Sequence, residues 1–189
     1  DPAERLARAP DYWADRLGVL VWEELPSASA YSDRLMDDAR SLLRTMVERD
    51  GNHPYIVLWG LFNEEWGLNR ADIRGAAGQR LHREPERQAQ VRELVTLLRS
   101  LDDTRPLVDN SGWNHVVTDV ADYHLYEDRP ERFHSLHQRL CRGEPVPLYD
   151  GQRTLFVPGA GYEGQPVICS EFGAGSGGRE RAWQFLWQV

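Results

Sequence analysis

The sequence predicts an α/β fold with a parallel sheet, and three observations predict it. Short strand-like runs recur at 19–22, 55–59, 107–108, 120–125 and 167–169. Segments with apolar residues at three- and four-residue spacing lie between them. The clearest run, Tyr55-Ile56-Val57-Leu58-Trp59, is continuously apolar, as strands covered on both faces are. Strand, helix and strand in repetition mean a sheet flanked by helices, as an open wound sheet or a closed barrel. Periodicity does not separate the two, but in both the chemistry sits at the carboxyl ends of the strands.

The elements follow in order. The segment from about Glu4 to Leu17 reads as a helix, with Gly18 placed as its stop, and Val19-Leu20-Val21-Trp22 as a buried strand. After a Pro/Ser loop, Leu35, Met36, Ala39, Leu42, Leu43, Met46 and Val47 mark a one-sided helix. It is broken by Asp50-Gly51-Asn52-His53-Pro54 before the run at 55–59. Val91, Leu94, Val95, Leu98 and Leu101 mark another helix. Strand-like Leu107-Val108 and Val120 to Leu125 come next, then a short helix from Glu131 to Leu140 and strand-like Val167-Ile168-Cys169. The stretch from about Arg142 to Gln165 is rich in Gly and Pro and shows no period, so it is a candidate functional loop. A helix from about Arg179 closes the chain.

Composition narrows the function. With 189 residues and 41% hydrophobic content the chain suits one domain. A net charge of -8 without a Lys/Arg run gives no clustered basic face, so neither nucleic acid nor an anionic membrane is expected as a partner. No cationic leader and no apolar stretch of about 18 residues stands out, so no membrane span is expected either. Cys141 and Cys169 form no metal-type pair and read as free thiols. Seven Trp and seven Tyr supply flat apolar faces of the kind that sugars stack on.

Residues that follow the strand-like runs converge on one rim. They are Glu23-Glu24, then Asn63-Glu64-Glu65-Trp66, then Asn110-Ser111-Gly112-Trp113, then His124 and Tyr126, and finally Glu171-Phe172. Carboxylates, amides and aromatics are what glycosidic hydrolysis needs: an acid for the leaving oxygen, a carboxylate at the anomeric carbon, partners for hydroxyls and faces for the ring. Glu64 and Glu171 are the catalytic candidates, with Asn63, Tyr126, His124, Trp113, Trp66 and Glu24 as substrate-binding candidates.

Three runs carry a family resemblance: Tyr12 through Glu24, His53-Pro54 through Gly67 with Asn63-Glu64-Glu65-Trp66, and Gln165 through Gly173 with Ser170-Glu171-Phe172. In this order they resemble successive strand regions of glycoside hydrolase family 2, the family of β-galactosidases, β-glucuronidases and β-mannosidases. The resemblance implies a (β/α)8 TIM barrel that is incomplete here, with about five of eight strands present, the first two and the last lacking, and residues 1–189 forming one partial catalytic domain. It implies a retaining β-glycosidase acting on a carbohydrate without a cofactor, with Glu64 as general acid/base and Glu171 as nucleophile. Asn63 would bind the sugar 2-hydroxyl and Tyr126 would hold the nucleophile, while His124 stands where glucuronidases often carry Asn. In such an enzyme the carboxyl groups stand roughly 5–5.5 Å apart. Glu171 is expected ionised, and Glu64 is expected to hold its proton against an apolar wall and the charge of Glu171.

Competing readings attach to several residues. Glu65 reads as a solvated loop charge, Trp59 as core, and Trp66 and Trp113 as rim residues lining a pocket. Glu24 either lines the pocket or bonds a neighbouring loop. His134 and His137 share a helix face without further ligands, so no metal site is expected. Gly173-Ala174-Gly175-Ser176-Gly177-Gly178 matches a dinucleotide fingerprint, which would make the chain an oxidoreductase fragment, but the acidic residue expected about 20 positions on has no place before Val189. A carbohydrate-binding barrel without catalysis is the third alternative, and it would lack one of the two glutamates.

Overall fold

The computed structural model describes residues 9–32, 34–69, 80–127, 129–148 and 153–172. Along these run α1 (Ala9–Leu17), β1 (Val21–Glu24), α2 (Leu35–Asp50), β2 (Ile56–Gly60), α3 (Arg80–Arg83), α4 (Pro85–Leu101), β3 (Leu107–Val108), β4 (Ala121–Leu125), α5 (Pro130–Cys141) and β5 (Val167–Phe172). The first two strands begin one or two residues later than the apolar runs suggest, because Val19 and Leu20 still complete the turn after α1 and are half exposed or more. Gly18 stops α1 at φ +68°, a left-handed conformation that suits glycine. Pro85 and Pro130 open α4 and α5, where a missing N–H costs nothing. The Gly173–Gly178 fingerprint and the helix expected from Arg179 lie outside the described residues.

All strand pairs are parallel. β1, β2 and β3 form one sheet in that order, and β4 pairs with β5 in another. The helix-side core joins Leu43, Met46 and Val47 of α2 to Val91, Leu94 and Leu98 of α4 over Ile56, Trp59 and Leu107. A second core packs Ala121, Tyr123 and Leu125 of β4 against Phe133 and Leu140 of α5. On the opposite face of the strands Leu58, Val108 and Val120 meet with Trp22 against them. Trp59 is core, as expected, and its indole N–H donates to Asp102 at 2.9 Å.

The two sheets meet just beyond β3 through backbone and side chains, the His124 N–H donating to Gly112 O at 3.2 Å. Asp122 in β4 accepts from Ser111 Oγ at 2.5 Å and from the Gly112 N–H at 3.0 Å, both just beyond β3. The loop from Arg142 to Gln165 backs the same junction: Leu155 O accepts from His115 N at 2.9 Å and His115 O from Val157 N at 3.0 Å. Val146, Leu148, Leu155 and Val157 of that loop are buried, so it packs against the fold at these positions.

One irregularity matters for the site. Tyr123 pairs with Cys169, but His124 pairs with Glu171, so Ser170 is an extra residue in β5. Side chains alternate along a strand, and Val167 and Cys169 both pack on the helix-side core with Ala121 and Tyr123. Strict alternation would put Glu171 on that side too. The bulge at Ser170 turns it to the face of Asp122 and His124.

Candidate active site

Glu64 sits two residues past Phe62, in a turn held by four bonds. Its N–H donates to Ser111 O at 2.9 Å, the Glu65 N–H to Asn110 Oδ1 at 2.8 Å, the Trp66 N–H to Asn63 O at 2.8 Å and the Leu68 N–H to Glu65 O at 2.9 Å. The over-determination is needed, because Glu64 and Glu65 have φ of 51° and 62°, a region that residues with a Cβ adopt at a cost. Asn63, half-buried, bridges in parallel to Ser111 and so continues the β2–β3 register to the site.

Glu65 is not a solvated charge. It is fully buried, with Asn69 Nδ2 donating to Oε2 at 3.1 Å and Asn114 Nδ2 bonded to Oε1. Burial raises its carboxyl above the usual range, and these two amides only partly oppose that. Glu65 thus anchors the turn that presents Glu64. Its partners lie 4 and 49 residues away, so no local pattern marks it.

Glu64, His124 and Glu171 come together. One side-chain ligand atom from each lies within 4.8 Å of the others. His124 Nδ1 is 2.9 Å from Glu64 Oε1, and His124 Nε2 is 3.6 Å from Glu171 Oε1. The Tyr126 hydroxyl donates to Glu171 Oε2 and lies 3.4 Å from Glu64 Oε1, so one phenol touches both carboxyls. Burial, the bond to Glu171 and the charges of Glu64 and Glu171 all push the Tyr126 phenol well above its ordinary range, which keeps it a donor. Glu171 remains 45% exposed at its side chain, open to a ligand.

The Glu64 carboxyl departs from expectation. Burial pushes it up, as foreseen, but hydrogen bonding and charge from His124, with further bonds from Trp66 and Tyr126, outweigh burial and hold it below the usual range. An apolar wall was expected, and donors stand there instead. Trp66, 49% exposed, is a rim residue in contact with Glu64.

Trp113 belongs elsewhere than on an open rim. It is 2% exposed and lies edge-on to His124, with centroids 5.6 Å apart. The Arg153 guanidinium covers it at 4.6 Å. Gly112, directly before it, has φ +103°, a left-handed conformation that suits glycine. Glu24 lines the interior: its Oε1 is buried without a hydrogen-bond partner among the described residues. Burial first, and then the charge of Asp122, raise its carboxyl, while His124 opposes them. His137 ties α5 to β4, and His134 bonds within α5. His137 Nδ1 bonds the Tyr123 hydroxyl at 2.6 Å and stacks on Phe133, and His134 pairs with Gln138 at 2.7 Å. Among the described residues, the group whose atoms could surround a cation is Glu64, His124 and Glu171.

Parallel strands with helices between them, and carboxylates gathered at the strand ends, are the features of an α/β protein of the barrel class. Comparison with known proteins gives the family: residues 13–188 match the family 2 glycosyl hydrolase TIM-barrel domain, and the chain belongs to that family. It is 28% identical over 187 residues to a β-galactosidase of Enterobacter cloacae, covering 90% of this chain and 15% of that protein. It is 27% identical over 145 residues to a β-galactosidase of Bacteroides ovatus, covering 59% of this chain and 17% of the relative. Among solved structures, a Bacteroides uniformis β-glucuronidase superposes with a TM-score of 0.67 at 22% identity, over 95% of this chain and 22% of that one. A family 2 β-galacturonidase from Eisenbergiella tayi bound to galacturonate gives 0.57 at 19% identity, over 85% and 26%. At these identities the structural likeness shows the TIM-barrel fold, and the chain spans less than a fifth of the curated relatives' length.

Proposed function

We propose that the protein carrying this chain hydrolyses β-glycosides with retention of configuration, Glu171 acting as nucleophile and Glu64 as general acid/base. The observation that carries this reading is the Glu64–Tyr126–Glu171 arrangement, in which one phenol touches both carboxyls and ligand oxygens of the two lie within 4.8 Å. That spacing suits retaining chemistry and leaves no room for a water between nucleophile and sugar.

In the first step a Glu171 oxygen bonds the anomeric carbon as the glycosidic C–O bond breaks, and the leaving oxygen takes a proton from the Glu64 side. In the second, water attacks that carbon, gives a proton back to the Glu64 side and releases Glu171 as carboxylate. Tyr126 keeps the Glu171 carboxylate aimed. Asn63 and Trp66 flank Glu64, and we assign them to the sugar's hydroxyls and ring face, with Glu24 lower in the same pocket.

The chain itself is read as part of a larger barrel. Ile168, on the face of Asp122 and His124, is 42% exposed, an apolar position that further strands would cover. The test is hydrolysis of nitrophenyl β-glycosides by the whole protein and by its Glu171→Gln variant. Turnover lost in a folded variant supports the assignment, and parent-like turnover refutes it. A panel of such glycosides names the sugar, and a fully active isolated chain would refute the larger barrel.

A further inference from the structure

His124 is buried at the centre of the acidic cluster, facing Glu24 from β1, Glu64 beyond β2, Ser111 beyond β3, Asp122 and Tyr126 of β4 and its flank, and Glu171 from β5. An inventory of hydrogens assigns its tautomer. Ser111 has one hydroxyl hydrogen, and Asp122 Oδ2, 2.5 Å away, receives it. The Ser111 oxygen can then only accept from His124 Nε2, 3.0 Å off, and Glu171 Oε1 at 3.6 Å also awaits a proton on that nitrogen. With Nε2 protonated, Nδ1 faces Glu64 Oε1 at 2.9 Å with one proton between them. Without that proton, a lone pair would face a carboxylate.

We infer that His124 is a positioning residue that shares one proton with Glu64, held in the required tautomer by Ser111 and Asp122, so that the acid of the reaction is the pair and not the carboxyl alone. The second part rests on the glycosidase reading; the tautomer and the shared proton do not. When the glycosidic bond breaks, its electron pair goes to the leaving oxygen, which takes a proton from the pair. Glu64 is left ionised and His124 neutral, and the pair regains the proton from the attacking water.

Two readouts test the inference. Long-range proton–nitrogen NMR of the full chain with isotope-labelled histidine reads each ring nitrogen separately, and the His124 signals are those lost in His124→Asn. The expected result is a protonated Nε2 throughout, with Nδ1 protonated at pH values where Glu64→Gln leaves it bare, because a neutral amide can donate to it. In the whole protein, the alkaline limb of kcat/KM on an aryl glycoside should move to lower pH by about one unit or more in His124→Asn. A wild-type Nδ1–H tautomer, His124 signals unchanged by Glu64→Gln, or a limb that stays or moves to higher pH overturns the inference. Failure of the wild-type protein to hydrolyse any glycoside would remove the glycosidase reading and leave the nitrogen signals to decide this one.

Discussion

His115 Nδ1 lies 2.7 Å from Asp109 Oδ1, and neither side chain has exposed surface. Burial disfavours the imidazolium, but the bond and charge of Asp109 outweigh it and raise His115 above its usual range. Its Nε2 lies 2.7 Å from Asp122 O, while Asp109 Oδ2 accepts from Val116 N at 2.6 Å and Val117 N at 2.9 Å. The pair therefore braces the β3–β4 junction on which Asp122, and through it His124, depends. Asp109→Asn removes the acceptor and charge that the buried imidazole is bonded to and should cost about 1–3 kcal/mol in urea unfolding. A loss below about 1 kcal/mol would contradict the brace.

Asp102 predicts a pH dependence. Burial raises its carboxyl, but Trp59 Nε1, the Thr104 N–H and hydroxyl, and Arg105 Nη1 at 2.6 Å all donate to it and hold it far below the usual range. A lowered folded value means that the contribution is complete above the unfolded value of about 3.9 and is lost as pH falls through the folded one. The unfolding free-energy gap between parent and Asp102→Asn should be largest near neutrality and shrink below about pH 4. A gap constant from pH 7 downward would show that the carboxylate charge plays no part.

Tyr126→Phe removes the donor that aims Glu171 while keeping the ring. Loss of one preorganised donor to a reacting oxygen typically costs about 10²–10³ in kcat, and a fall of that order on nitrophenyl glycosides is expected. Unchanged kcat would place the phenol outside the chemistry.

Gly112→Ala tests how closely the backbone approaches the imidazole. A Cβ there would lie 2.8 Å from His124 Nδ1, and φ is +103°. The backbone alone should cost about 1–3 kcal/mol, read as a lowered unfolding midpoint, and displacement of the ring should lower kcat more than it raises KM. A variant as stable and active as the parent would mean that the loop yields freely.

Much of this arrangement is legible in the residues. Continuous apolar runs mark the strands because both faces are covered, and of the groups at their ends Glu64, Tyr126 and Glu171 meet, with Glu24 near enough to feel the charges of Asp122 and Glu171. What escapes the sequence is long-range pairing. Glu65 reads as a loop charge because its bond to Asn114 spans 49 residues, and Trp113 reads as rim because the His124 and Arg153 that pack on it are distant in the chain. His115 and Asp109 carry no signature at all, and the proton state of Glu64 depends on donors whose positions only the fold defines.

Ser170 is passed over in the pairing of β4 with β5, yet it decides on which side of the sheet the second glutamate emerges. The placement of Glu171 is therefore a matter of parity: an odd insertion in the strand delivers it to the side of Glu64 and His124, and deleting that single residue would send the carboxylate among the helices with every neighbouring side chain unaltered.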